Sequence, residues 1–318
     1  MAQNTSLTTD EIEAIFENFS IHHISSFKVL SGGSENTNYL IHAKNDKYVL
    51  TICEQKSANE AKELAHLLEH LEKHGFETSK VIRNTNNEPV TLWKGRPVII
   101  KKFIEGKNLK DLSFHLIELI GRELGKLHKI ESPGYLPIQV GYGKEQFAKV
   151  DNYAANSSFA TWLKEKLTYV SPYFSSNLPR AFIHSDVFWD NVIISEDEAS
   201  INIMDFEDSA YYYRVFDIGM MVIGICGEEK TVNFEKARYI LKGYSQEIQL
   251  LDIELNALQA FTVYAGAAMT FWRHLNFNYT KPDPKLSNHF LGMKVLTDFV
   301  EEQPADVFLK LVADKAHQ

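Results

Sequence analysis

The sequence predicts an α+β fold in which an N-terminal antiparallel sheet is followed by a mostly helical second part. Short segments of alternating apolar and polar residues fill the first hundred residues, and turn-forming residues separate them, which indicates five strands. One segment, 59–74, instead repeats its leucines at helical spacing and stops at Gly75, so one long helix is expected between the third and fourth strands. Beyond Gly106, apart from β-rich segments in 182–195 and 201–207, apolar residues recur at the spacing of amphipathic helices.

The elements of the first part follow one another along the chain. A short helix over 9–20 is expected first, with Thr9 as its cap, because its apolar residues share one face. The five strands are then expected in four segments, of which the first holds two strands: 27–43, 47–54, 89–93 and 96–104.

A change from β-rich to helical character predicts a domain boundary at Phe103–Gly106. The first domain is expected over 1–103 and the second over 104–318. Within the second domain, the segment 131–155 is rich in glycine, proline and tyrosine, so an extended connection is expected there.

Composition and charge limit the class of protein. With 318 residues, 44% of them hydrophobic, the chain can bury a sizeable core. A net charge of −9 without a basic patch argues against a nucleic-acid partner. Two cysteines in unrelated settings predict a reducing compartment. The start shows no secretory signal and the most apolar segment, 217–227, is too short for a bilayer, so a cytoplasmic monomer or homodimer without membrane contact is expected.

The most informative segment runs from 182 to 195 and continues at 201–207. An apolar strand delivers Asp186, Asn191 follows five residues later, and Asp205 ends a further β-rich segment. Phosphoryl transfer from ATP needs one carboxylate that orients the attacking hydroxyl and accepts its proton. It also needs an amide oxygen and a second carboxylate that hold Mg²⁺ against the phosphates. We therefore expect Asp186 to be the catalytic base, and Asn191 and Asp205 to be magnesium ligands, rather than solvated loop residues.

The chain resembles the aminoglycoside phosphotransferase superfamily of small-molecule kinases, and within it the type II homoserine kinase branch. The likeness runs through nearly the whole chain, in L-S-G-G-S-E-N-T-N-Y, K-F-I-E-G, G-R-E-L-G-K-L-H, H-S-D-V-F-W-D-N, I-M-D-F-E and V-F-D-I-G. The resemblance implies a bilobal protein-kinase-like fold that uses ATP and Mg²⁺ to phosphorylate a small-molecule hydroxyl acceptor. It also implies structural support by His184, beneath the catalytic loop, and by Asp217, whose carboxylate accepts backbone N–H bonds from that loop.

The resemblance places nucleotide-binding residues in the first domain. Gly32, Gly33 and Ser34 stand where kinases carry the loop that covers the ATP phosphates, although a Gly-Gly turn alone indicates only a hairpin. The hinge is expected to contact adenine through its main chain, at Lys102, Phe103 and Ile104.

The third strand departs from the kinase pattern. Kinases usually carry a lysine there, which bridges the α- and β-phosphates to a glutamate on the following helix. Thr51 takes the place of this lysine, and Glu63 is the expected glutamate. The identity of the cation that contacts the phosphates is therefore left open, and the candidates are Lys28, Lys101 and Lys102.

The resemblance favours homoserine as the phosphate acceptor. Homoserine is a zwitterion, so its carboxylate needs a cation and its ammonium needs acceptors. Arg273 and His274, in the helical segment 261–275, are expected to serve the carboxylate, and Glu207 and Asp208 the ammonium. The alternative for Arg273 is a surface arginine at a helix end, and the alternative for Glu207 is a solvated turn residue.

Aromatic residues motivate a second reading. Trp189, Tyr211–Tyr213 and Phe271–Trp272 surround the expected site, and aromatic faces attract quaternary ammonium groups by about 0.5–2 kcal/mol each. This would suit a choline/ethanolamine-type kinase, although packing of a core explains the same residues. The net charge of −9 also permits an aminoglycoside acceptor. The absence of the third-strand lysine suggests a further alternative, a family member that binds nucleotide without catalysing a reaction. The presence of Asp186, Asn191 and Asp205 argues against this alternative.

Overall fold

The structure, a computed structural model, describes residues 5–30 and 36–313. These residues form two compact units that divide between Glu105 and Gly106, within the expected hinge. The nucleotide-binding role of the first unit and the catalytic role of the second stay predictions.

An antiparallel sheet and two helices make up the first unit. Its elements are α1 (Thr9–Glu17), β1 (Ile24–Val29), β2 (Asn36–Ala43), β3 (Asp46–Cys53), α2 (Ala58–Lys73), β4 (Val81–Ile82), β5 (Thr91–Trp93) and β6 (Arg96–Lys102). The strand order is β1-β2-β3-β6-β4, with β5 paired to β6, and neighbouring strands are antiparallel. The predicted sheet with one long helix after its third strand is confirmed. The additional strand, β4, has two residues and is too short to show a period in the sequence.

The two helices cover opposite faces of this sheet, because alternate residues of a strand point to opposite faces. On one face the buried side chains of α1 cluster with Leu50 and Ile52. On the other face Ala61 and Ala65 of α2 pack against β3 and β6. Thr51 stands between Leu50 and Ile52 in the strand, so its side chain lies on the face that α2 covers.

Thr8, rather than the predicted Thr9, caps α1. The hydroxyl of Thr8 accepts the N–H of Glu11, and the Glu11 carboxylate accepts the N–H of Thr8 at 2.8 Å. This reciprocal pair satisfies two N–H groups that the helix itself leaves unpaired. Ser57 and Glu60 form the same arrangement at the start of α2.

The second unit is mostly helical and holds two small antiparallel strand pairs. Its elements are α3 (Phe114–Leu127), α4 (Val150–Tyr153), α5 (Ser158–Val170), β7 (Arg180–Ile183), β8 (Val192–Ile194), β9 (Ile201–Ile203), β10 (Ala210–Tyr213), α6 (Arg214–Cys226), α7 (Phe234–Tyr244), α8 (Asp252–Leu275), α9 (His289–Glu301) and α10 (Ala305–Ala313). β7 pairs with β10, and β8 pairs with β9. Short 3₁₀ helices span Lys144–Lys149, Ser171–Tyr173, Trp189–Asn191 and Phe206–Asp208.

The apolar helix α6 forms the centre of this unit. It is buried along nearly its whole length by α7, α8, β7 and β10, which explains why its sequence is apolar on every side. One carboxylate, that of Asp217, is buried within it. In the described part of the chain, no helix combines the length and the apolar character needed to cross a bilayer.

Two glycines allow α3 and α7 to approach closely. A Cβ atom at Gly121 would overlap the carbonyl oxygen of Ile240, and one at Gly243 would overlap that of Glu118. The close contact between the two helix backbones therefore requires glycine, which has no Cβ atom, at both positions.

We expect Gly121→Ala to lower the free energy of unfolding by roughly 1–3 kcal/mol, because the added methyl group forces the two helices apart. Gly292→Ala is the matched control, since a Cβ at this helical position meets nothing within 4 Å. The control should raise stability by up to about 1 kcal/mol, the usual gain from alanine over glycine in a helix. Urea unfolding of both variants measures the difference, and equal stabilities would contradict the close contact.

Candidate active site

The predicted catalytic residues lie on the two strand pairs of the second unit. β7 leads into the segment that carries Asp186, and the 3₁₀ helix Trp189–Asn191 leads from it into β8. β9 returns antiparallel to β8 and leads to Asp205. The β8–β9 hairpin therefore brings Asn191, which precedes β8, next to the residues that follow β9.

The carboxylate of Asp217 fixes the turn that precedes Asp186. Its Oδ2 accepts the N–H of His184 at 2.8 Å, and its Oδ1 accepts the N–H of Ser185 at 2.7 Å. The ring of His128 adds a contact of 3.1 Å to Oδ2. A fully buried carboxylate needs such partners, and charge-assisted bonds to N–H groups are among the strong ones. This is the arrangement that the resemblance implies for Asp217.

His184 lies beneath the same turn. Its Nε2 donates to the carbonyl of Met204 at 2.7 Å, and its Nδ1 accepts the N–H of Asp186 at 3.2 Å. Because the first partner only accepts and the second only donates, both bonds fit the tautomer that carries its proton on Nε2. His184 thus links the residue before Asp205 to Asp186, and both ring nitrogens are used in doing so.

The side-chain amide of Asn191 is bound to Asp186. Its Nδ2 donates to the main-chain oxygen of Asp186 at 2.9 Å and to the carboxylate Oδ2 at 3.1 Å. Both partners are acceptors, so the orientation of the amide is determined and Oδ1 is turned away from Asp186. An amide oxygen presented in this way is a suitable ligand for a hard cation.

Burial raises the pKa of Asp186 above its ordinary value. The negative charge of Asp190 adds to the rise, whereas the positive charge of Arg273 and the bond from Asn191 oppose it. A carboxylate with a raised pKa is a stronger base, while the opposing groups favour the ionised form that a base requires.

Asp205 lies beside Asn191. The N–H of Met204 donates to the main-chain oxygen of Asn191 at 2.8 Å, which extends the pairing of β8 and β9 by one step. Asp205 has a left-handed backbone, with φ 67° and ψ 65°, and its side chain is exposed. Such conformations of residues other than glycine concentrate at functional sites, and aspartate tolerates them better than most residues.

Glu207 and Asp208 follow on the same turn, in the 3₁₀ helix Phe206–Asp208. The carbonyl of Asp208 accepts the hydroxyl of Ser185 at 2.7 Å, so the turn is tied to the residue before Asp186. The side chain of Asp208 is exposed and that of Glu207 is half-buried. Their role towards an ammonium group stays a prediction.

Arg273 lies close to Asp186, near the C-terminal end of α8. Its guanidinium group is over the ring of Phe188, 5.6 Å from the centroid, and it interacts electrostatically with Asp186 and Asp190. Burial lowers the pKa of Arg273. The guanidinium forms no ion pair or hydrogen bond with any residue in 5–30 or 36–313. A desolvated cation without a direct anionic partner is costly, so an anionic ligand would stabilise it.

His274, which was expected to serve the acceptor carboxylate together with Arg273, lies in an aromatic cluster instead. Its ring stacks on Phe159 at 3.7 Å between centroids and also contacts Tyr153, Tyr279 and Phe290. Burial in this aromatic cluster lowers the pKa of His274 to about 4, so the ring is neutral at pH 7. Sequence spacing could not distinguish the two neighbours, although one turns towards Phe188 and the other towards α5 and α9.

Three of the six expected aromatic residues belong to the core, whereas Tyr211 is exposed. Tyr212, Tyr213 and Phe271 are buried among other rings of the second unit. Trp189 and Trp272 are half-buried, and Trp272 packs edge-on against Phe277. The packing explanation is therefore correct for the three buried residues.

The sequence model of the phosphotransferase enzyme family, which includes aminoglycoside phosphotransferases, matches residues 26–246, more than half of the chain. The chain belongs to this family. It is therefore a phosphotransferase, and the catalytic class predicted from the sequence is confirmed.

Two curated relatives in the phosphotransferase family are homoserine kinases. The one from Bradyrhizobium sp. is 27% identical over 279 residues, which cover 85% of each chain. The one from Paramagnetospirillum magneticum is 27% identical over 297 residues, which cover 89% of this chain and 90% of the relative.

Solved phosphotransferase structures share the fold. A microcompartment-associated aminopropanol kinase superposes with a TM-score of 0.73 at 14% identity, covering 96% of this chain and 100% of that one. A choline/ethanolamine kinase family protein from Mesorhizobium loti has a TM-score of 0.68 at 17% identity, with 96% and 99% coverage. At these identities the likeness concerns the fold alone, which confirms the predicted protein-kinase-like architecture.

The third strand of this phosphotransferase holds a buried threonine in place of the expected lysine. The hydroxyl of Thr51 donates to Asn38 on β2 at 2.7 Å. Glu63 is exposed and accepts a bond from Asn59 on its own helix at 2.8 Å, on the side of α2 away from Ala61. The structure therefore does not bring Glu63 to the sheet.

Of the three candidate cations, two lie on the face of Thr51. Lys28 and Lys101 stand in one cross-strand row on that face, through Leu40 and Val49. Lys102 points to the opposite face, where its ammonium pairs with Asp46 at 3.0 Å and lies over the ring of Tyr48. The strand geometry therefore favours Lys28 and Lys101 over Lys102, and the identity of the phosphate-binding cation stays a prediction.

The hinge main chain is partly used within the first unit. The N–H of Lys102 donates to Lys80 at 2.8 Å, and that of Phe103 donates to Lys47 at 3.0 Å. An adenine contact from Lys102 must therefore use its carbonyl. Of the other nucleotide-contacting residues expected, Gly32, Gly33 and Ser34 lie outside the described residues.

Several residues that support the site were not found from the sequence. Asn108 donates from Nδ2 to the carbonyls of Asp190 and Val192, at 2.9 and 2.7 Å, and so holds both neighbours of Asn191. Tyr142 donates to the carbonyl of Ser185 at 2.6 Å. These are polar residues on loops whose partners are main-chain atoms, and such contacts leave no spacing pattern in a sequence.

The lowered pKa of His274 makes folding depend on pH. The unfolded chain binds a proton at this histidine near its ordinary pKa of about 6.5, whereas the folded chain does so only near pH 4. Lowering the pH through this window therefore destabilises the fold, by at most about 1.4 kcal/mol per pH unit. In His274→Phe this contribution should be absent, so its free energy of unfolding should fall less steeply between pH 6.5 and 4.

Urea unfolding at several pH values tests this expectation. His66→Gln, on the exposed side of α2, is the matched control and should follow the parent protein. Parallel curves for His274→Phe and the parent would show that His274 is not held neutral by the fold.

Proposed function

We propose that this phosphotransferase transfers the γ-phosphate of ATP to the hydroxyl group of homoserine, with Asp186 as the catalytic base. The half-buried Asp186 is held by the ring of His184, which accepts its N–H, and by the amide of Asn191, which donates to its carbonyl and its carboxylate, and burial raises its pKa. In this position it would align the acceptor hydroxyl with the γ-phosphate and take its proton. The ordered turn that Asp217 maintains would keep this alignment between substrates.

We infer that Asn191 and Asp205 hold Mg²⁺. The donor set fits the ion, because the fixed amide offers Oδ1 and the neighbouring aspartate offers an exposed carboxylate. Within residues 5–30 and 36–313, no group of three or more histidine, cysteine, aspartate or glutamate side chains could hold a metal by itself. Two protein oxygens suit Mg²⁺, which takes its other ligands from phosphates and water and neutralises phosphate charge.

The observation that carries the acceptor assignment is the guanidinium of Arg273. It is desolvated, rests on Phe188 and interacts electrostatically with Asp186 without forming an ion pair. An acceptor that carries a carboxylate near its hydroxyl would supply the missing anion, and guanidinium binds carboxylate in a bidentate manner. The two homoserine kinases that match at 27% identity support the same amino acid.

The ammonium group of homoserine needs acceptors on the opposite side of the substrate. Glu207 and Asp208 follow Asp205 directly and offer carboxylates, as expected from the sequence. Asp190, which interacts electrostatically with both Asp186 and Arg273, is a further carboxylate at this place. We propose that these acidic residues select a positively charged amine.

A choline/ethanolamine-type kinase is the second candidate. The half-buried Trp189 and Trp272 favour it, because aromatic faces bind quaternary ammonium groups. Arg273 argues against it, since choline offers no anion to the guanidinium and its own positive charge would be repelled. Tyr212 and Tyr213 are buried in the core and do not contribute a cage.

We propose that the first unit contributes the nucleotide contacts. The carbonyl of Lys102 and the main chain of Ile104 are the adenine-binding groups we favour, because the N–H groups of Lys102 and Phe103 are already bound. Lys28 or Lys101 would supply the phosphate cation, from the face of the sheet that also holds Thr51.

A coupled assay of ADP release over homoserine, choline, ethanolamine, aminopropanol and an aminoglycoside tests the proposed acceptor. Homoserine should give the highest kcat/KM, and release should require Mg²⁺. A preference for choline would support the second candidate and overturn the first.

In Arg273→Ala the KM for homoserine should rise by the equivalent of about 2–5 kcal/mol, because a desolvated carboxylate loses its charged partner. The KM for ATP should hardly change, and turnover of choline should not fall. Arg238→Ala, which removes an exposed arginine of α7, is the matched control and should behave like the parent. Steady-state kinetics with each acceptor measures these values.

The kinetics of Arg273→Ala also distinguish the acceptor-binding role of Arg273 from other roles. An unchanged KM for homoserine would remove Arg273 from the acceptor site. Equal losses of turnover with every acceptor, and of ATP hydrolysis without acceptor, would instead place the guanidinium on the transferred phosphate.

A further inference from the structure

The residue before the proposed base has an unfavourable backbone conformation. Ser185 is fully buried and its φ is 72°, in the left-handed region. A residue with a Cβ atom adopts this conformation at a cost, so its surroundings must maintain it. What holds Ser185 also determines the direction in which Asp186 leaves the turn.

Three bonds hold Ser185, one to each of its polar groups. Its N–H donates to Asp217 at 2.7 Å, and its hydroxyl donates to the carbonyl of Asp208 at 2.7 Å. Its own carbonyl accepts the phenol of Tyr142 at 2.6 Å. The first bond is the support that the resemblance implies, whereas the other two were not expected.

The hydroxyl bond joins the two segments that carry the proposed catalytic groups. Asp208 follows Asp205 by three residues on the same tight turn, and Ser185 precedes Asp186 directly. A side-chain bond between these turns therefore limits how far the base and the proposed metal ligand can move apart.

The phenol bond comes from the segment that was expected to be only an extended connection. Tyr142 is 4% exposed, so its ring is enclosed. Burial, and then the negative charges of Asp186 and Asp208, raise the pKa of Tyr142 well above its ordinary value. The phenol therefore keeps its proton and remains a donor to Ser185 throughout the physiological pH range.

We propose that Tyr142 is a positioning residue for phosphoryl transfer, which holds Ser185 in its left-handed turn and so aims the Asp186 carboxylate, while the Ser185 hydroxyl sets the spacing between Asp186 and Asp205. This inference rests on the proposed function, in which Asp186 is the base and Asp205 binds Mg²⁺. Neither Tyr142 nor Ser185 is proposed to touch a substrate.

A positioning role predicts an effect on turnover rather than on nucleotide binding. In Tyr142→Phe the ring still fills its site, but the Ser185 carbonyl loses its donor and the turn is released. A shift of the base by a fraction of an ångström changes the transition state more than the ground state. We therefore expect kcat to fall about 10- to 100-fold while the KM for ATP stays within about twofold.

The experiment measures ADP release by Tyr142→Phe with Mg·ATP and L-homoserine, and ATP hydrolysis without an acceptor. Tyr264→Phe is the matched control, because its phenol accepts the N–H of Lys144 at 2.9 Å and so supports the same segment without a bond to Ser185. Its kcat should stay within about twofold of the parent, even if both variants melt at a lower temperature.

Ser185→Ala provides a second variant, in case Tyr142→Phe does not fold. It keeps the left-handed residue and removes the bond to Asp208, so the Mg²⁺ concentration for half-maximal activity should rise several-fold. If the magnesium dependence is unchanged in Ser185→Ala, the hydroxyl does not set the spacing, and that part of the proposal is overturned.

Asp186→Asn separates this inference from the proposed function. If Asp186→Asn loses activity while Tyr142→Phe keeps the parent kcat, the positioning role is overturned and the base assignment stands. If Tyr142→Phe and Tyr264→Phe lose kcat by the same factor, the effect comes from the stability of the segment and the inference is again overturned. An active Asp186→Asn would reject the proposed function itself.

Discussion

The candidate active site depends on one buried group, the carboxylate of Asp217. A carboxylate without water is stable only when donors surround it, and here two of the donors are the consecutive N–H groups of His184 and Ser185. Two adjacent N–H groups can point at one carboxylate only if the backbone turns sharply, so the buried charge requires the turn. Because α6 is enclosed by helices and strands, the core of the second unit fixes the position of Asp217.

The sequence predicted the features that have a period or a fixed spacing. The sheet, the long helix after its third strand and the helical second part follow from apolar periodicity, and the catalytic segments follow from the spacing of Asp186, Asn191 and Asp205. Contacts without periodicity were not predicted, such as the bond from Tyr142 to a carbonyl distant in sequence. His274 shows the same limit, since the fold rather than the sequence places it among aromatic rings while Arg273 lies near Asp186.

Opposing electrostatic effects act on Asp186, and the proposed acceptor would change their balance. Burial and Asp190 raise the pKa of Asp186, whereas Arg273 lowers it, and the same arginine is itself desolvated and has no direct anionic partner among the residues that the structure describes. An acceptor carboxylate at the guanidinium would reduce the positive charge that the base experiences. On this account, binding of the acceptor strengthens the base at the moment when its proton must be taken.

The central claim is that Asp186 takes the proton of the acceptor while other groups bind the nucleotide. Asp186→Asn preserves the size of the side chain and the main-chain bonds of the turn but removes the basic oxygen. The direct measurement is its single-turnover rate of phosphoryl transfer, together with its affinity for Mg·ATP by calorimetry. The account predicts a loss of rate by a factor of about 10² or more at nearly unchanged affinity. A rate close to that of the parent, or a loss explained by weaker nucleotide binding, would contradict it.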